Sequence, residues 1–430
     1  MAVKAALSRV EEPAVVSGLL QRYALPPLRA VTILLGFSVA ISVALDNVLL
    51  ALLLPGVLFN ARAIAQISAQ NPAARASWLL FGVLFLAMFY GETPLSGAVD
   101  ILGKYADLAF VPLFMLMLSA GVDRRRAQYA FLAAMGVTLL LSWLVGLKIL
   151  PVQHWMWKGI TAENPAIFRS YITHGNMMAF AAFLALLNLR EAASRGARLA
   201  WGLFALLGVI NVLFMVQGRT GYMIMMALLA WFAWATLSRI MRRRGMPWDW
   251  RHGVAVALIF AGVAAAAYHA SSRLHERINL MASEYRVWQP NQGRETSTGQ
   301  RLDFYYNSLQ IVRQYPVFGV GTGGYAAAFA QQTLGTDVIK TTNPHNEYLL
   351  VAVQTGMIGL GLLLYLFYTL WRCAPLLNTP FEQDAARGLV LAYLVNCAFN
   401  SPLHDHADGL LFAFMTAVLF AGLRRGKQHV

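Results

Sequence analysis

Residues 78–89 read WLLFGVLFLAMF, and residues 131–147 read FLAAMGVTLLLSWLVGL. Neither stretch holds a charged side chain, and neither alternates between apolar and polar positions as the strands of a membrane barrel do. Runs of this kind suit helices in lipid, where about 20 mostly apolar residues cross the hydrocarbon. The rest of the chain has the same character. Its 430 residues are 58% hydrophobic and 13% charged, with a mean hydropathy of +0.54. That balance excludes a soluble enzyme, a coiled coil and a disordered chain. The fold class is an all-α polytopic membrane protein.

The apolar runs predict about twelve transmembrane helices, near 28–44, 47–66, 77–91, 101–121, 127–148, 172–189, 197–217, 220–240, 252–270, 346–371, 385–402 and 407–423. The turn between the first two rests on Asp46 and Asn47. Basic residues set the orientation. With a cytoplasmic N-terminus, 22 of the 34 Lys and Arg side chains fall in cytoplasmic segments, and only Lys104, Lys148, Lys158, Arg169 and Arg219 fall in short outer loops. Both termini are therefore expected inside. The other seven lie in one long outer segment, 271–343. The net charge of +14 is thus largely topological, and no nucleic-acid partner is expected. The organisation read from this pattern is transmembrane helices 1–9 in residues 1–270, a loop subdomain in 271–345, and transmembrane helices 10–12 in 346–430. Residues 1–28 lack the short apolar core and cleavage site of a signal peptide. Two cysteines, Cys373 and Cys397, offer neither a disulfide framework nor a thiolate metal site.

Within the long segment, Ser297 or Thr298 can cap a helix running through Arg301 to Gln314, with Leu302, Tyr305, Leu309 and Val312 on one face. Pro316 stops it. The glycine-rich turn Gly319 to Gly324 follows, then a short helix near Tyr325 to Gln332. The turn lacks the βαβ setting of a dinucleotide fingerprint and is not read as one.

The sharpest chemical signal is Asn343-Pro344-His345-Asn346-Glu347. Asn before Pro reads as a helix start, which would put His345 in the first turn of the tenth span. A helix N-terminus disfavours imidazolium and attracts anions, so a neutral His345 could accept a proton beside a bound phosphate. In the turn Gly218-Arg219-Thr220-Gly221-Tyr222, an arginine near the membrane calls for a partner, and its planar fork suits phosphate. By itself it could equally be a snorkelling side chain, and Arg301 alone a solvated one. Arg169 and His174, around the start of the sixth span, could line an outer cavity. His404-Asp405-His406 with Asp408 has metal-ligand chemistry but reads better as a polar turn, and Lys104 with Asp107 as a structural pair. No metal or cofactor is expected.

Taken together, Gly218 to Tyr222, Gly299-Gln300-Arg301 leading to Tyr315 through Gly321, and His345 through Leu349 to Leu360 resemble the O-antigen ligase family in order, spacing and topology. The resemblance covers about Gly218 to Gly361. It implies a GT-C-like glycosyltransferase architecture and glycosyl transfer at the periplasmic face of the bacterial inner membrane. The donor would be O-antigen on undecaprenyl diphosphate, the acceptor lipid A-core, with membrane lipids around both. By motif, His345 resembles the family's essential histidine, and Arg219 and Arg301 its essential arginines. Arg219, Arg301, Arg169, His174 and Asn346 are the expected substrate-binding set. Where the family often carries an acidic residue, this chain has Gln354, so no carboxylate role falls there. The alternatives are an O-antigen polymerase, which uses the same donor, and a lipid-linked glycan flippase, which would favour charged midplane sites.

Overall fold

The computed structural model describes residues 25–423, apart from 247–248, 250, 256–257, 259–261, 263–268, 270–271 and 293–295. The ninth expected span, 252–270, lies largely outside the described residues, as do the first 24 residues. Among the described residues there is no strand, only an isolated bridge between Thr161 and Asn164.

Helix α1 (Leu25–Ile41) gives way to α2 (Val43–Phe59) at Ser42, which is extended in its backbone and whose hydroxyl accepts the Leu45 N–H as a cap. A Cβ on Gly56 would lie 3.2 Å from Leu28 Cδ1, so α2 doubles back along α1. The first turn therefore comes at Ser42 rather than at Asp46 and Asn47, because Asp46 belongs to the first turn of α2. After Asn60 the chain bends by 89° into α3 (Ala61–Gln70). Asn71 caps α4 (Pro72–Leu86), accepting from the Ala73 and Ala74 N–H groups. The expected span 101–121 is instead two short helices, α5 (Leu95–Lys104) and α6 (Asp107–Met117). Between them Tyr105 is fully buried, and tight three-residue backbone bonds replace the helical ladder.

Among the described residues, five helices are long and apolar enough to cross a membrane: α7 (Gly121–Gly146), α8 (Tyr171–Glu191), α9 (Arg195–Ile210) with its π-turn Asn211–Met215, α10 (Arg219–Arg243) and α14 (Glu347–Cys373) with the following turn. The bent pair α2 and α3 would make a sixth. Helix α8 lies at the centre, packed by α9, α10 and α15 (Pro380–Phe399). Helix α16 (His406–Phe420) is buried along nearly its whole length against α6, α1, α7 and α15. Both are apolar on all sides, and a helix of that kind is stable only when enclosed. Lipid tails are as apolar as leucine, so close packing and polar contacts hold such helices together.

The long loop contributes α11 (Ser272–Val287), α12 (Ser297–Gln314) and α13 (Tyr325–Gln332). The cap of α12 is Thr296, whose hydroxyl accepts the Gly299 N–H, one residue before the expected Ser297. Its buried face also differs from the expected stripe. Leu309 is exposed, whereas Phe304, Asn307, Ser308 and Ile311 are buried. The two polar members find partners: Asn307 Nδ2 donates to Asn291 Oδ1, and Ser308 pairs with the Tyr325 hydroxyl. Apolar spacing alone points to the wrong face when polar side chains find partners.

The glycine-rich turn docks the loop onto α14. Gly356 has φ 64° inside α14, and Met357 N–H donates to Pro316 O instead of to its own helix. The freed Val353 and Gln354 carbonyls accept from Val320 and Gly321, and Gln354 Oε1 accepts from Gly323. A side chain at Gly356 would collide with the Val317 carbonyl, at 2.2 Å from an added Cβ. Gln354 is thus a fully buried strut between α14 and the loop.

Candidate active site

Four chain segments meet where α10, α12 and α14 begin and α15 ends. Arg219 is the first residue of α10, after Gly218. A cation there opposes the helix dipole, and a bound anion would reconcile the two. Close passage of α10 past α8 at the Gly221–Gly175 pair, where an added Cβ would lie 3.1 Å from the Gly175 Cα, brings this end of α10 deep into the bundle. Arg301 lies in the second turn of α12, and with Arg219 it lines one cavity of about 430 Å³. Asn164, Gln217, Tyr171 and Glu284 contribute polar groups to the same walls.

His345 does not lie in the first turn of α14. The helix starts at Glu347, and its cap is Asn346, whose side chain accepts the Leu349 N–H. The expected start at Asn343 and Pro344 fails because His345 has φ 54°, a left-handed backbone that interrupts any helix there. Several bonds hold that conformation. The Asn343 side chain accepts the His345 N–H at 2.8 Å, and the Ser401 hydroxyl donates to the same oxygen. The Tyr305 hydroxyl donates to the His345 carbonyl at 3.2 Å. A strained residue so over-determined is what a prearranged site requires.

The imidazole of His345 stacks on Phe304, with ring centroids 6.5 Å apart, and Arg301 lies one helical turn before Phe304 on α12. Burial pushes the His345 pKa below its ordinary value, and the nearby Arg301 cation lowers it further. Both causes favour a neutral ring, able to accept a proton. Asn400, at the end of α15, ties the segments together: its side chain donates to Thr220 Oγ1, and its carbonyl accepts the Glu347 N–H.

The structure brings Arg219, Arg301, His345 and Asn346 to this end of the bundle, but only the two arginines line the cavity, and His345 stands beside Arg301 outside its walls. The Asn346 amide is occupied as a cap and by donating to the Ala398 carbonyl. Arg169 and His174 are buried away from the cavity walls. His174 Nε2 pairs with Asn211 Oδ1 at 3.0 Å. Arg169, 3% exposed, makes a 2.7 Å ion pair with Asp46 and donates to the Val39 carbonyl. Removing one partner of such a buried pair leaves an uncompensated charge. We therefore expect Asp46→Ala to cost about 3–5 kcal/mol, read as a fall in Tm in detergent, with the double variant Asp46→Leu, Arg169→Met recovering most of it. Full recovery of Tm in the double variant would show that Arg169 and Asp46 serve each other in the fold.

Asp405 caps α16 through the Ala407 and Asp408 N–H groups, and among the described residues no three His, Cys, Asp or Glu side chains are placed to hold a metal ion together. Sequence reading missed Tyr305 and Phe304 as the supports of His345. The signal was present in their spacing, three and four residues after Arg301, which puts all three on one flank of α12. It also missed Glu347, fully buried, with one oxygen accepting from the Tyr105 hydroxyl and the other from the Leu403 N–H.

Residues 203–364 match a family model described as O-antigen ligase. That segment contains Arg219, Arg301 and His345, so the matched region is the one that carries the candidate site. A Haemophilus influenzae protein described only as uncharacterized is 26% identical over 174 residues, 38% of this chain and 44% of that protein. The chain thus matches less than half the length of that relative.

Proposed function

We propose that this chain is an O-antigen ligase, transferring glycan from undecaprenyl diphosphate to a sugar hydroxyl of lipid A-core at the periplasmic face of the bacterial inner membrane. The observation that carries the reading is that Arg219 and Arg301 share one cavity while Arg301 also stands beside His345, whose pKa burial and that cation push down. In the reaction, the acceptor oxygen bonds to the anomeric carbon and the bond from that carbon to the diphosphate oxygen breaks. The electron pair leaves with undecaprenyl diphosphate, whose charge the two guanidinium groups stabilise. The hydroxyl proton passes to His345. Attack opposite the leaving group inverts the anomeric centre, and the arginines stand where a divalent cation would otherwise neutralise the diphosphate. The frame we propose has twelve spans and both termini in the cytoplasm. The short apolar helices α1, α4, α6 and α16, with α15 and the bent pair α2 and α3, stand beside the five long ones to give eleven candidates, and the twelfth, the expected span 252–270, lies largely outside the described residues.

Purified protein reconstituted with undecaprenyl diphosphate-linked glycan and lipid A-core, with and without chelator, tests the reading. A lipopolysaccharide ladder that survives chelator is expected. Extension of the donor lipid, with lipid A-core unmodified, would instead make the enzyme a polymerase. The acidic limb of the pH–rate profile is expected below the ordinary histidine pKa of 6.5, because protonation removes the base and both surroundings of His345 oppose protonation. Arg301→Gln removes one of them, so the limb of its residual activity should move to higher pH, whereas Arg301→Lys should leave it in place.

A further inference from the structure

A second cleft, of about 610 Å³ and larger than the first, lies away from the two arginines. It lies between the turn after α4 and the far ends of α12 and α13, within the range of about 300–1,000 Å³ that suits small ligands. Gln314, on its wall, stands 13 residues beyond Arg301 on α12, about 20 Å at 1.5 Å per residue.

The lining selects the class of ligand. No Lys, Arg or His takes part, so nothing there answers a phosphate or an anionic headgroup. Ile311, Val320, Ala327 and Ala328 supply an apolar floor, while glutamines and Glu92 supply a polar rim. Gln314 Nε2 donates to Gln332 Oε1 at 2.8 Å, which leaves one amide oxygen and one amide NH₂ of the pair to face a ligand. Thr93 Oγ1 is shut away from solvent with no protein partner. Glu92 is exposed and acts only as an acceptor. Around the mouth, Tyr90, Tyr315 and Phe318 expose about half of their surfaces or more. Aromatic side chains of this kind settle at a membrane–water boundary, which puts the cleft at the height of a lipid-attached glycan.

Alternating apolar faces and hydroxyls are the chemistry of an uncharged sugar. We propose that this cleft binds saccharide, either a distal stretch of the donor glycan or the core oligosaccharide of the acceptor, with Glu92, Gln331 and the Gln314–Gln332 pair meeting its hydroxyls and Tyr315 its apolar face. The proposal rests on the reading of the chain as a glycan transferase and adds a second point of contact remote from the reacting bond. A contact made equally in the ground and transition states raises KM and leaves kcat unchanged when it is removed.

The test uses full-length protein in proteoliposomes carrying Glu92→Gln, Gln331→Ala or Tyr315→Ala, all at exposed positions whose loss leaves the fold intact. Donor and acceptor are each titrated against a saturating level of the other. The expected result is a rise of about tenfold in KM for one substrate, as for a charged or paired hydrogen bond left unmade, with kcat falling less than about twofold. A rise for lipid A-core assigns the cleft to the acceptor; a rise for the lipid-linked glycan assigns it to the donor. Unchanged KM for both, in an active enzyme, would overturn the proposal. Binding of lipid-free core oligosaccharide and of lipid-free O-antigen polysaccharide to the detergent-purified chain, followed by saturation-transfer NMR, keeps the two readings apart. If the wild type transfers nothing, the ligase reading falls, yet binding of either glycan that is lost in Gln331→Ala still supports the cleft. Binding of neither, or equal binding by wild type and variant, would overturn it.

Discussion

His345→Asn should lower the rate of glycan transfer by about 10²–10⁴-fold, the usual contribution of a positioned general base, while leaving Tm nearly unchanged. Asparagine is the informative replacement because it tolerates the left-handed backbone that His345 adopts. The bonds from Asn343 and Tyr305 go to the backbone of residue 345, so the loop keeps its anchors when the ring is gone. Loss of rate with both KM values retained would mark the imidazole as acting on the transition state. A loss confined to donor KM would instead give the ring a donor-holding part. Tyr305→Phe removes one support and should reduce the rate less, since the Asn343 contact remains.

Arg219→Ala and Arg301→Ala should each reduce kcat by about 10²–10³-fold, the scale seen when one preorganised donor to a developing negative charge is removed. Neither change should unfold the protein, because Arg219 is exposed and Arg301 half-buried. Lysine at either position should restore only part of the loss: it keeps the charge but not the planar fork that meets two phosphate oxygens at once. The two sites should differ in one respect. Arg301 also holds down the His345 pKa, so Arg301→Ala should alter the pH profile, whereas Arg219→Ala should scale it. If both groups serve one diphosphate, as proposed, the double variant should lose less than the product of the single losses. Full activity in Arg219→Ala would remove its phosphate role.

Much of this was legible in the sequence because membrane helices announce themselves by length and hydropathy. The runs that became α8, α10 and α14 were placed to within three residues of their observed limits, whereas α7 begins six residues before the expected start. The span near 101–121 was not, since apolar content is blind to the break at Tyr105, which exists because that side chain reaches across to Glu347. The motif residues Arg219, Arg301 and His345 were readable as a set, but their arrangement was not. Asn-Pro before His345 imitates a helix start, and only the tertiary bonds to Ser401 and Tyr305 show why the chain stays left-handed for one residue more. Arg169 looked like a site residue for a sound reason, since a charge at membrane depth needs an explanation. Its explanation is Asp46, 123 positions away in the chain. The same distance effect hid the role of Gln354, whose partner Gly323 lies on a separate loop.

The most direct measurement follows transfer to lipid A-core and release of undecaprenyl diphosphate together, in proteoliposomes of wild type and His345→Asn. The expected result is one diphosphate lipid released per glycan transferred by the wild type, in chelator as without it, and neither product from the variant above background. Equal transfer by the variant, or release of undecaprenyl diphosphate with no modified lipid A-core, would contradict the assignment of this site as the centre of ligation.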